Sequence, residues 1–333
     1  MINGSPIIIA EVGVNHNGNK KLLNQLIEKV SNTGVDFIKF QAFITENIVI
    51  KKSPKANYQK KIKSSQFNML KKYELKPSDY DFIHQKCKKK GLKPMFSVFD
   101  IESLKVLKKY KIRIIKIPSG EITNLPLLRE IGKLKIDVIL STGMSSFYEI
   151  KKAINSLVQN GTTRKKISIL HCHSEYPSNI KDLNLKNIST FKKKFGYKIG
   201  FSDHTIGSLA SIIATSLGAE IIEKHITLNK KFYGPDHSSS LEVKSLSKFV
   251  ENIKSVKLAL GSYKLNRSVY ETRNKKIVRK SIVAKKKIKI GDIFSEKNLA
   301  CKRPGTGLSP IFFEKIIGKK SKFNFKENQF IKI

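Results

Sequence analysis

The chain has 333 residues, of which 40% are hydrophobic, so it is long enough for one large domain with a buried core and a small second domain. Its three cysteines form no CxxC pair, which argues against a disulfide framework or a thiolate metal site and is typical of a reducing, cytoplasmic compartment. The N-terminus lacks the features of a signal peptide, and no apolar run approaches the roughly 18 residues of a membrane helix.

The charge balance is strongly basic, with 65 lysines and arginines against 26 aspartates and glutamates, a formal net charge of +39. Such a charge raises the possibility of a nucleic-acid-binding barrel protein. The lysines are dispersed along the chain rather than clustered with aromatic residues, so we expect a compositional bias and no specific nucleic-acid partner. The positive field would still steer anionic substrates toward a cleft.

Short β-branched apolar runs alternate with longer amphipathic stretches over the first 260 residues. The apolar runs predict eight strands: Ile7–Val12, Phe37–Gln41, Pro94–Val98, Ile112–Ile117, Asp137–Ser141, Ser168–His171, Lys198–Phe201 and Glu220–Lys224. Predicted helices between and after them include Lys20–Thr33, Ser78–Lys90, Ile101–Tyr110, Leu125–Lys133, Ser146–Gln159, Gly207–Leu217 and Lys244–Leu260. This alternation predicts a (β/α)₈ TIM barrel. A doubly wound open sheet is the alternative, but no GxGxxG motif follows the first strand.

The pattern changes after Gly261, where a charged stretch is followed by short β-type segments and the turn sequence RPGTG at 303–307. We therefore predict a catalytic barrel domain over residues 1–263, a linker over 264–278 and a small β-rich domain over 279–333. A domain that small is weakly stable alone, so we expect it to pack against the barrel of its own chain or of a partner.

Polar residues stand at the carboxyl end of every predicted strand, which is where barrel enzymes carry their catalytic residues. These residues include Glu11, Lys39, Gln41, Ser97, Lys116, Ser119, Glu121, Ser141, Ser174, Tyr176, Ser202, His204, Glu223, His225 and Asp236. A lysine or glutamate inside an apolar strand is costly unless it is paired or bound to a ligand. The joint pattern therefore predicts an enzyme active site.

The strand ends carry the motifs AEVGVNHNG at 10–18, IKFQ at 38–41, KIPSGE at 116–121, LSTGM at 140–144, SEYP at 174–177, FSDHT at 201–205, EKHITL at 223–228 and GPDH at 234–237. In this order and spacing they resemble the sialic acid synthase family, which includes N-acetylneuraminate synthase and its legionaminate and pseudaminate relatives. RKSIVA at 279–284 and RPGTGLSP at 303–310 resemble that family's antifreeze-like (SAF) domain. The resemblance covers essentially the whole chain.

The resemblance implies condensation of phosphoenolpyruvate with an N-acylated hexose to a nine-carbon 2-keto acid, with release of phosphate, in the biosynthesis of surface polysaccharide. It also implies a divalent metal, typically manganese with cobalt or magnesium as alternatives, and a domain-swapped homodimer. We expect N-acetylneuraminate synthase activity on N-acetylmannosamine. The alternative is a legionaminate or pseudaminate synthase that uses a 2,4-diacetamido-6-deoxyhexose, because the motifs do not separate these groups.

Lys39 and Lys116 suit the phosphate and carboxylate of phosphoenolpyruvate as point charges, and five hydroxyls can donate hydrogen bonds to it. These hydroxyls belong to Ser97, Ser119, Ser141, Ser174 and Ser202. His204 and His225 end adjacent predicted strands and can converge as metal ligands. Two imidazoles with oxygen ligands suit Mn, Fe, Co or Zn. The alternative is that each histidine is a hydrogen-bonded strand-end residue.

The resemblance makes Glu11 a general base or water-positioning carboxylate beside the metal, with a salt bridge to Lys39 as the alternative. It places a set of side chains on the sugar: Gln41, Tyr176 and Asp236, with Glu121 and Glu223 as supporting carboxylates. Arg303 matches an arginine that reaches from the tail domain into the partner's site to hold the N-acyl group. Its alternative is a solvated loop arginine.

Some positions depart from the family's usual pattern or have no assigned role. FSVF stands where STPF is common, so Ser97 replaces a threonine and Val98 a proline; the hydroxyl is kept and the rigid turn is lost. His173 replaces the usual threonine, and its bulk is expected to narrow the site. The remaining positions without an assigned role are Tyr58, Gln59, His16, His171 and His237.

Overall fold

The computed structural model describes residues 5–60 and 62–333, so the first four residues of the predicted barrel domain lie outside the described residues. The chain divides into two compact units, Met1–Gly261 and Ser262–Ile333. Within the part of the chain that is described, no helix is both long enough and apolar enough to cross a membrane.

The first unit is a closed barrel of eight parallel strands, each hydrogen-bonded to the next along the chain. The strands are β1 Ile7–Gly13, β2 Phe37–Ala42, β3 Pro94–Val98, β4 Ile114–Ile117, β5 Asp137–Ser141, β6 Ile167–Cys172, β7 Lys198–Asp203 and β8 Ile221–Thr227. Pairing of β1 with β8, from Ile7 opposite Ile221 to Glu11 opposite His225, closes the ring. The predicted (β/α)₈ fold is confirmed, and the open doubly wound sheet is excluded.

Helices surround this barrel and supply the outer half of its core. They are α1 Lys20–Val30, α2 Thr45–Ile48, α3 Gln66–Tyr73, α4 Pro77–Lys89, α5 Ile101–Lys108, α6 Leu125–Lys133, α7 Phe147–Gln159, α8 Asn187–Phe195, α9 Leu209–Ser216 and α10 Leu246–Leu260. Several of these helices begin at a side chain that accepts hydrogen bonds from the first backbone N–H groups. Asn19 caps α1, Asp100 caps α5, and Ser146 with Glu149 forms a capping box on α7.

Two apolar layers fill the barrel unit. Strand residues that point outward, such as Ile8 and Ile38, pack against the helices. Alternate residues point inward and form a plug inside the barrel, made of Ile9, Met95, Ile139, Leu170 and Ile221. Because this plug fills the barrel interior with side chains, the polar residues of the barrel lie at the carboxyl ends of the strands.

Several elements were not in the sequence prediction. α2 and α3 occupy the excursion after β2, and a two-residue strand β9, Leu241–Glu242, pairs with the end of β8. Helix α11, Val269–Val278, lies inside the predicted linker; it begins with a capping box between Ser268 and Glu271. None of its residues is buried, so the apolar periodicity that reveals a helix is missing from its sequence.

The second unit holds an antiparallel pair, β10 Ser281–Ala284 and β11 Leu299–Lys302, followed by α12 Phe313–Ile316. Isolated bridges such as Ile288 with Phe325 extend the β-type pairing. A separate small core holds the unit together: Ile282, Ala284, Ile288, Phe294, Leu299, Ile316, Phe325 and Ile331.

Candidate active site

The register of the barrel strands brings the predicted site residues side by side. Glu11 on β1 lies opposite Lys39 on β2 and opposite His225 on β8. Ser97 on β3 lies opposite Gln41 and Lys116. Since parallel strands end at the same edge, residues far apart in sequence meet at one mouth of the barrel.

A cavity of about 460 Å³ opens at this mouth. Fifteen of the sixteen predicted site residues line it: Glu11, Lys39, Gln41, Ser97, Lys116, Ser119, Glu121, Ser141, Ser174, Tyr176, Ser202, His204, Glu223, His225 and Asp236. The sixteenth, Arg303, belongs to the second unit, where its Nε donates to the carbonyl of Val278 at 2.8 Å. Its predicted role in a partner's site stays a prediction.

A buried charge cluster forms the floor of the cavity. Lys39 Nζ lies 2.9 Å from Glu11 Oε2 and 3.6 Å from Glu223 Oε1, and it donates to Ser97 Oγ at 2.6 Å. Lys116 Nζ donates to Glu223 Oε1 at 2.8 Å. The salt bridge between Glu11 and Lys39, expected as an alternative to a role for Glu11, is therefore present. It does not remove Glu11 from the cavity wall.

Burial and charge act in opposite directions on these groups. Burial raises the pKa of Glu11 despite the neighbouring Lys39. Burial alone would also raise the pKa of Glu223, but Lys116 and Lys39 together hold that pKa well below its ordinary value. Burial lowers the pKa of Lys116, whereas Glu11 and Glu223 outweigh burial and raise the pKa of Lys39. Of the two carboxylates in the cluster, Glu11 is thus the one whose pKa is raised, which makes its carboxylate the stronger base.

Hydroxyls converge beside the lysines around Gly143. Ser119 Oγ accepts from the backbone N–H of Gly143 at 3.0 Å and lies 3.0 Å from Cys172 Sγ. A Cβ on Gly143 would fall 2.1 Å from Ser174 Oγ and 2.9 Å from Ser119 Oγ, so only glycine leaves this cradle open. Ser141 Oγ is buried and has no hydrogen-bond partner. Such a group of unfilled donors next to cations is suited to an anion.

The two histidines face each other across the cavity wall, with ring centroids 5.5 Å apart. His204 Nδ1 lies 2.6 Å from the carbonyl of His173 and must donate to it, so Nε2 carries the lone pair. That Nε2 lies 3.1 Å from the Tyr176 hydroxyl and 3.3 Å from Ser202 Oγ. A fixed tautomer of this kind is what a metal-binding imidazole requires.

His225 Nδ1 is buried, has no hydrogen-bond partner, and lies 3.7 Å from Asp236 Oδ2. Gly13 makes room for it: a Cβ there would meet His225 Nδ1 at 3.2 Å and Glu11 Oε1 at 3.4 Å. No three side chains among His, Cys, Asp and Glu converge as a complete metal cage anywhere in the described residues. The donors present fit an open site that takes two protein nitrogens and completes its coordination with water and substrate.

Aromatic rings line the way out of the cavity. The Tyr176 ring stacks on His204 at a centroid distance of 4.0 Å and packs against Tyr58 at 4.9 Å. Burial raises the pKa of the Tyr58 hydroxyl well above its usual range, so this phenol stays neutral. Tyr58, to which the sequence analysis gave no role, thus shares the cavity wall with a predicted sugar contact.

Loop residues that the sequence analysis did not interpret hold the β8 loop in place. His237 Nδ1 lies 2.7 Å from Thr227 Oγ1, and its Nε2 lies 3.2 Å from Asn17 Oδ1. Asn15 Nδ2 donates to Ser240 Oγ, which in turn donates to the carbonyl of Asp236. The loop after β1 therefore supports the loop that carries Asp236. The motif NHNG gave a polar signal, but its partners more than 200 residues away were not predictable.

The departures from the family pattern leave the site open. Val98 is fully buried at the end of β3, while Ser97 keeps its hydroxyl on Lys39. His173 borders an adjoining space and not the main cavity, and its Nδ1 lies 3.1 Å from Ser178 Oγ. The His173 side chain therefore does not narrow the main cavity itself.

A second buried ion pair lies on the other face of the same strands. Lys224 Nζ is 3.0 Å from Asp203 Oδ2, and both side chains are at most 1% exposed. Asp203 also accepts from the backbone and hydroxyl of Thr205 and from Ser211 Oγ, and Lys224 donates to the carbonyl of Thr205. The pair thus braces the residues on either side of His204 and the residue before His225.

Comparison with known proteins adds a family to this geometry. The model of the NeuB family matches residues 26–264, and that of the SAF domain matches 279–333. The N,N'-diacetyllegionaminic acid synthase of Campylobacter jejuni is 44% identical over 98% of each chain, and that of Legionella pneumophila is 36% identical over 95% of this chain and 90% of its own. The N-acetylneuraminic acid synthetase of Leptospira borgpetersenii, solved with citrate, is 32% identical with a TM-score of 0.71, over 82% and 90% of the two chains.

Proposed function

Because the chain belongs to the NeuB family of nonulosonate synthases, we propose that it makes a legionaminate-type acid from phosphoenolpyruvate, water and a 2,4-diacetamido-6-deoxyhexose, releasing phosphate. From the sequence motifs we expected N-acetylneuraminate synthase activity, with this acceptor as the alternative. The relatives at 44% and 36% identity are named diacetyllegionaminic acid synthases and favour the second. Relatives named pseudaminic acid synthases are 31% to 33% identical.

The observation that carries the proposed chemistry is the pair of buried lysines next to the open hydroxyl cradle. Phosphoenolpyruvate brings a phosphate and a carboxylate into a space that is costly for unpaired anions. Lys116 and Lys39 supply the charge, while Ser119, Ser174 and the unpartnered Ser141 supply donors. Glu223 holds both ammonium groups in position, within 2.8 Å and 3.6 Å.

We propose that His204 and His225 hold a divalent cation, Mn²⁺ first, with Co²⁺ or Mg²⁺ as alternatives. The fixed tautomer of His204 and the unpartnered nitrogen of His225 support this assignment. When bound, the ion supplies Lewis-acid polarisation of the acceptor's carbonyl. The protein's own part is to keep both imidazoles neutral and oriented. Burial serves this by lowering the pKa of His204 to about 4 and that of His225 well below its usual range.

The remaining residues bind the acceptor and move a proton. The third carbon of phosphoenolpyruvate attacks the acceptor aldehyde, and water then adds to the second carbon before phosphate leaves. Glu11 takes the proton from that water, because its raised pKa makes its carboxylate a stronger base. Gln41 donates to Glu11 Oε1 at 3.4 Å and orients it. Tyr176, Asp236 and Glu121 line the wall where the sugar binds.

The proposal is tested by assaying phosphate release with Mn²⁺, phosphoenolpyruvate and three acceptors side by side: N-acetylmannosamine and the two 2,4-diacetamido hexoses that lead to legionaminate and pseudaminate. We expect kcat/KM for the legionaminate precursor to exceed the other two by at least tenfold. A preference for N-acetylmannosamine would restore the first expectation of the sequence analysis. Calorimetry with Mn²⁺ tests the metal separately: His204→Ala and His225→Ala should each lose binding, and unchanged isotherms would rule out the pair as ligands.

The domain-swapped homodimer stays a prediction of the resemblance, as does the role of Arg303. If a partner's Arg303 holds the N-acyl group, Arg303→Ala should raise the KM for the acceptor far more than that for phosphoenolpyruvate. Equal effects on both KM values would contradict the swapped arrangement.

A further inference from the structure

A second cavity of about 370 Å³ adjoins the reaction cavity and has no part in the chemistry above. Five residues border both spaces: Ala56, Tyr58, Met144, Cys172 and Ser174. Three residues border only the second space, which we call the side chamber: Asn57, His173 and Glu175. Because the two spaces share walls on three separate loops, a ligand in the reaction cavity can extend a substituent into the side chamber.

The proposed acceptor carries a substituent that needs such a place. The product named for two relatives bears two N-acetyl groups, and phosphoenolpyruvate contains no nitrogen, so both groups come from the acceptor. The reaction cavity, at about 460 Å³, lies at the lower end of the roughly 300–1,000 Å³ of small-molecule sites. Phosphoenolpyruvate and a hexose with two acetamido groups share it, and the adjoining side chamber offers a separate place for one substituent.

The direction of the sugar chain leads to the side chamber. The aldehyde end of the acceptor belongs next to the histidines, and Tyr176 lies against His204 at 4.0 Å. Tyr58 follows at 4.9 Å from Tyr176 and borders both spaces. A sugar that runs along these two rings reaches the shared wall of the side chamber with its middle carbons.

The lining of the side chamber matches the chemistry of an acetamido group. The Asn57 amide can donate to the C=O of the substituent, and Ser174 Oγ, whose single proton points to phosphoenolpyruvate, can accept from the substituent's N–H. Ala56 and the exposed side chain of Met144 offer a surface to its methyl group. His173 is held by Ser178, so it forms a fixed wall rather than a mobile side chain.

We propose that the side chamber binds the second N-acyl group of the acceptor, the one on C4, and that Asn57 and His173 set the preference for diacylated over monoacylated hexoses. This inference rests on the proposed function, since it assumes a diacetamido acceptor. It explains why a histidine stands where the family usually has a threonine: the side chain shapes the side chamber and leaves the reaction cavity unchanged.

The test is to fill the side chamber and compare two acceptors, the 2,4-diacetamido-6-deoxyhexose and N-acetylmannosamine, at saturating phosphoenolpyruvate. Asn57 is exposed on a short surface turn, so Asn57→Phe should fold normally, which thermal melting checks. We expect Asn57→Phe to lower kcat/KM for the diacetamido acceptor at least tenfold and to change that for N-acetylmannosamine less than twofold. Asn57→Ala should lower only the former, by about three- to tenfold.

Val49→Phe is the matched control, because Val49 borders the reaction cavity and not the side chamber. Val49→Phe should change kcat/KM by the same factor for both acceptors. The inference is overturned if Asn57→Phe leaves the ratio of the two kcat/KM values unchanged, or if Val49→Phe is the variant that alters it. A wild-type enzyme that prefers N-acetylmannosamine would overturn the proposed function and this inference together, whereas an unchanged ratio in Asn57→Phe overturns the inference alone.

Discussion

Two buried charge clusters lie back to back on strands β7 and β8. Ser202 and Glu223 are opposite one another in the register and point into the barrel, where Glu223 joins Lys116 and Lys39. The next pair along, Asp203 and Lys224, points to the other face of the strands. The same alternation of a β-strand thus produces an inner and an outer ion cluster one residue apart.

The two clusters differ in whether their polar atoms are satisfied. Both oxygens of Asp203 accept hydrogen bonds, and Lys224 also donates to a backbone carbonyl. Around the inner cluster, Ser141 Oγ and His225 Nδ1 are buried without partners. A buried polar atom without a partner costs stability unless a ligand completes it. The inner cluster is therefore built for a ligand, and the outer cluster for the fold.

The largest effect we expect is on the activity of an inner variant. Lys116→Met should lower kcat/KM for phosphoenolpyruvate by about 10³–10⁴-fold, because it removes a buried cation from the anion's site. The free energy of unfolding should fall by less than about 2 kcal/mol, because Glu223 keeps Lys39 and Ser202 as partners. Steady-state phosphate release and urea unfolding measure the two. Lys198→Met, at an exposed lysine on β7, is the control and should change neither.

The outer cluster should give the opposite result. Lys224→Met leaves the Asp203 carboxylate buried without a cation, which should cost about 3–5 kcal/mol of unfolding free energy. The double variant Lys224→Met/Asp203→Asn should recover much of that loss, because the amide is uncharged and its oxygen still accepts from Thr205. At temperatures where the variants are folded, their kcat should stay within about threefold of wild type. If Lys224→Met lowered kcat strongly without lowering the unfolding free energy, the outer cluster would serve activity as the inner cluster does, and the distinction between them would be wrong.

The sequence was sufficient for the barrel because eight continuous apolar runs are a strong periodic signal, and each became a strand. The sequence was also sufficient to predict the residues of the inner cluster, because charged side chains interrupt those apolar runs. The outer pair was not predicted. Lys224 was seen only as part of the EKH motif, and periodicity does not reveal that its ammonium meets Asp203, since that depends on the register between β7 and β8.

The space inside the cavity was the other feature that could not be predicted from the sequence. Gly13 and Gly143 are needed because a Cβ would meet His225 or Ser174, and such contacts exist only after the chain has folded. The helices α3 and α11 were missed for a different reason. Each lies in a Lys-rich stretch with two or no buried residues, so neither shows a broad apolar face.

A buried histidine outside both clusters extends the comparison between satisfied and unsatisfied polar groups, because its hydrogen bond can form only while the imidazole is neutral. His16 is 2% exposed, and its Nδ1 accepts from the N–H of Gly18 at 3.1 Å. Burial lowers its pKa to about 4, so the stability it contributes is full above its unfolded pKa of about 6.5 and is lost as the pH falls toward 4.

His16→Gln should therefore flatten the acid side of the stability profile. Between pH 7.5 and pH 5.0 the wild type should lose about 2 kcal/mol more than His16→Gln, a difference that follows from those two pKa values. Urea unfolding at the two pH values measures it. Parallel profiles would mean that His16 has the same pKa in the folded and the unfolded protein, and that burial in this loop does not hold the imidazole neutral.

The smallest effect comes from an ion pair that matches the outer cluster in chemistry but not in burial. Lys105 Nζ lies 2.7 Å from Glu102 Oε1 on α5, closer than Lys224 lies to Asp203, with side chains 60% and 54% exposed. Lys105→Met should change the unfolding free energy by no more than about 0.5 kcal/mol, because water and salt screen the pair and solvate the remaining carboxylate. If Lys105→Met and Lys224→Met cost similar amounts, pairing rather than burial would set the cost, and the contrast between satisfied and open buried clusters would lose its physical basis.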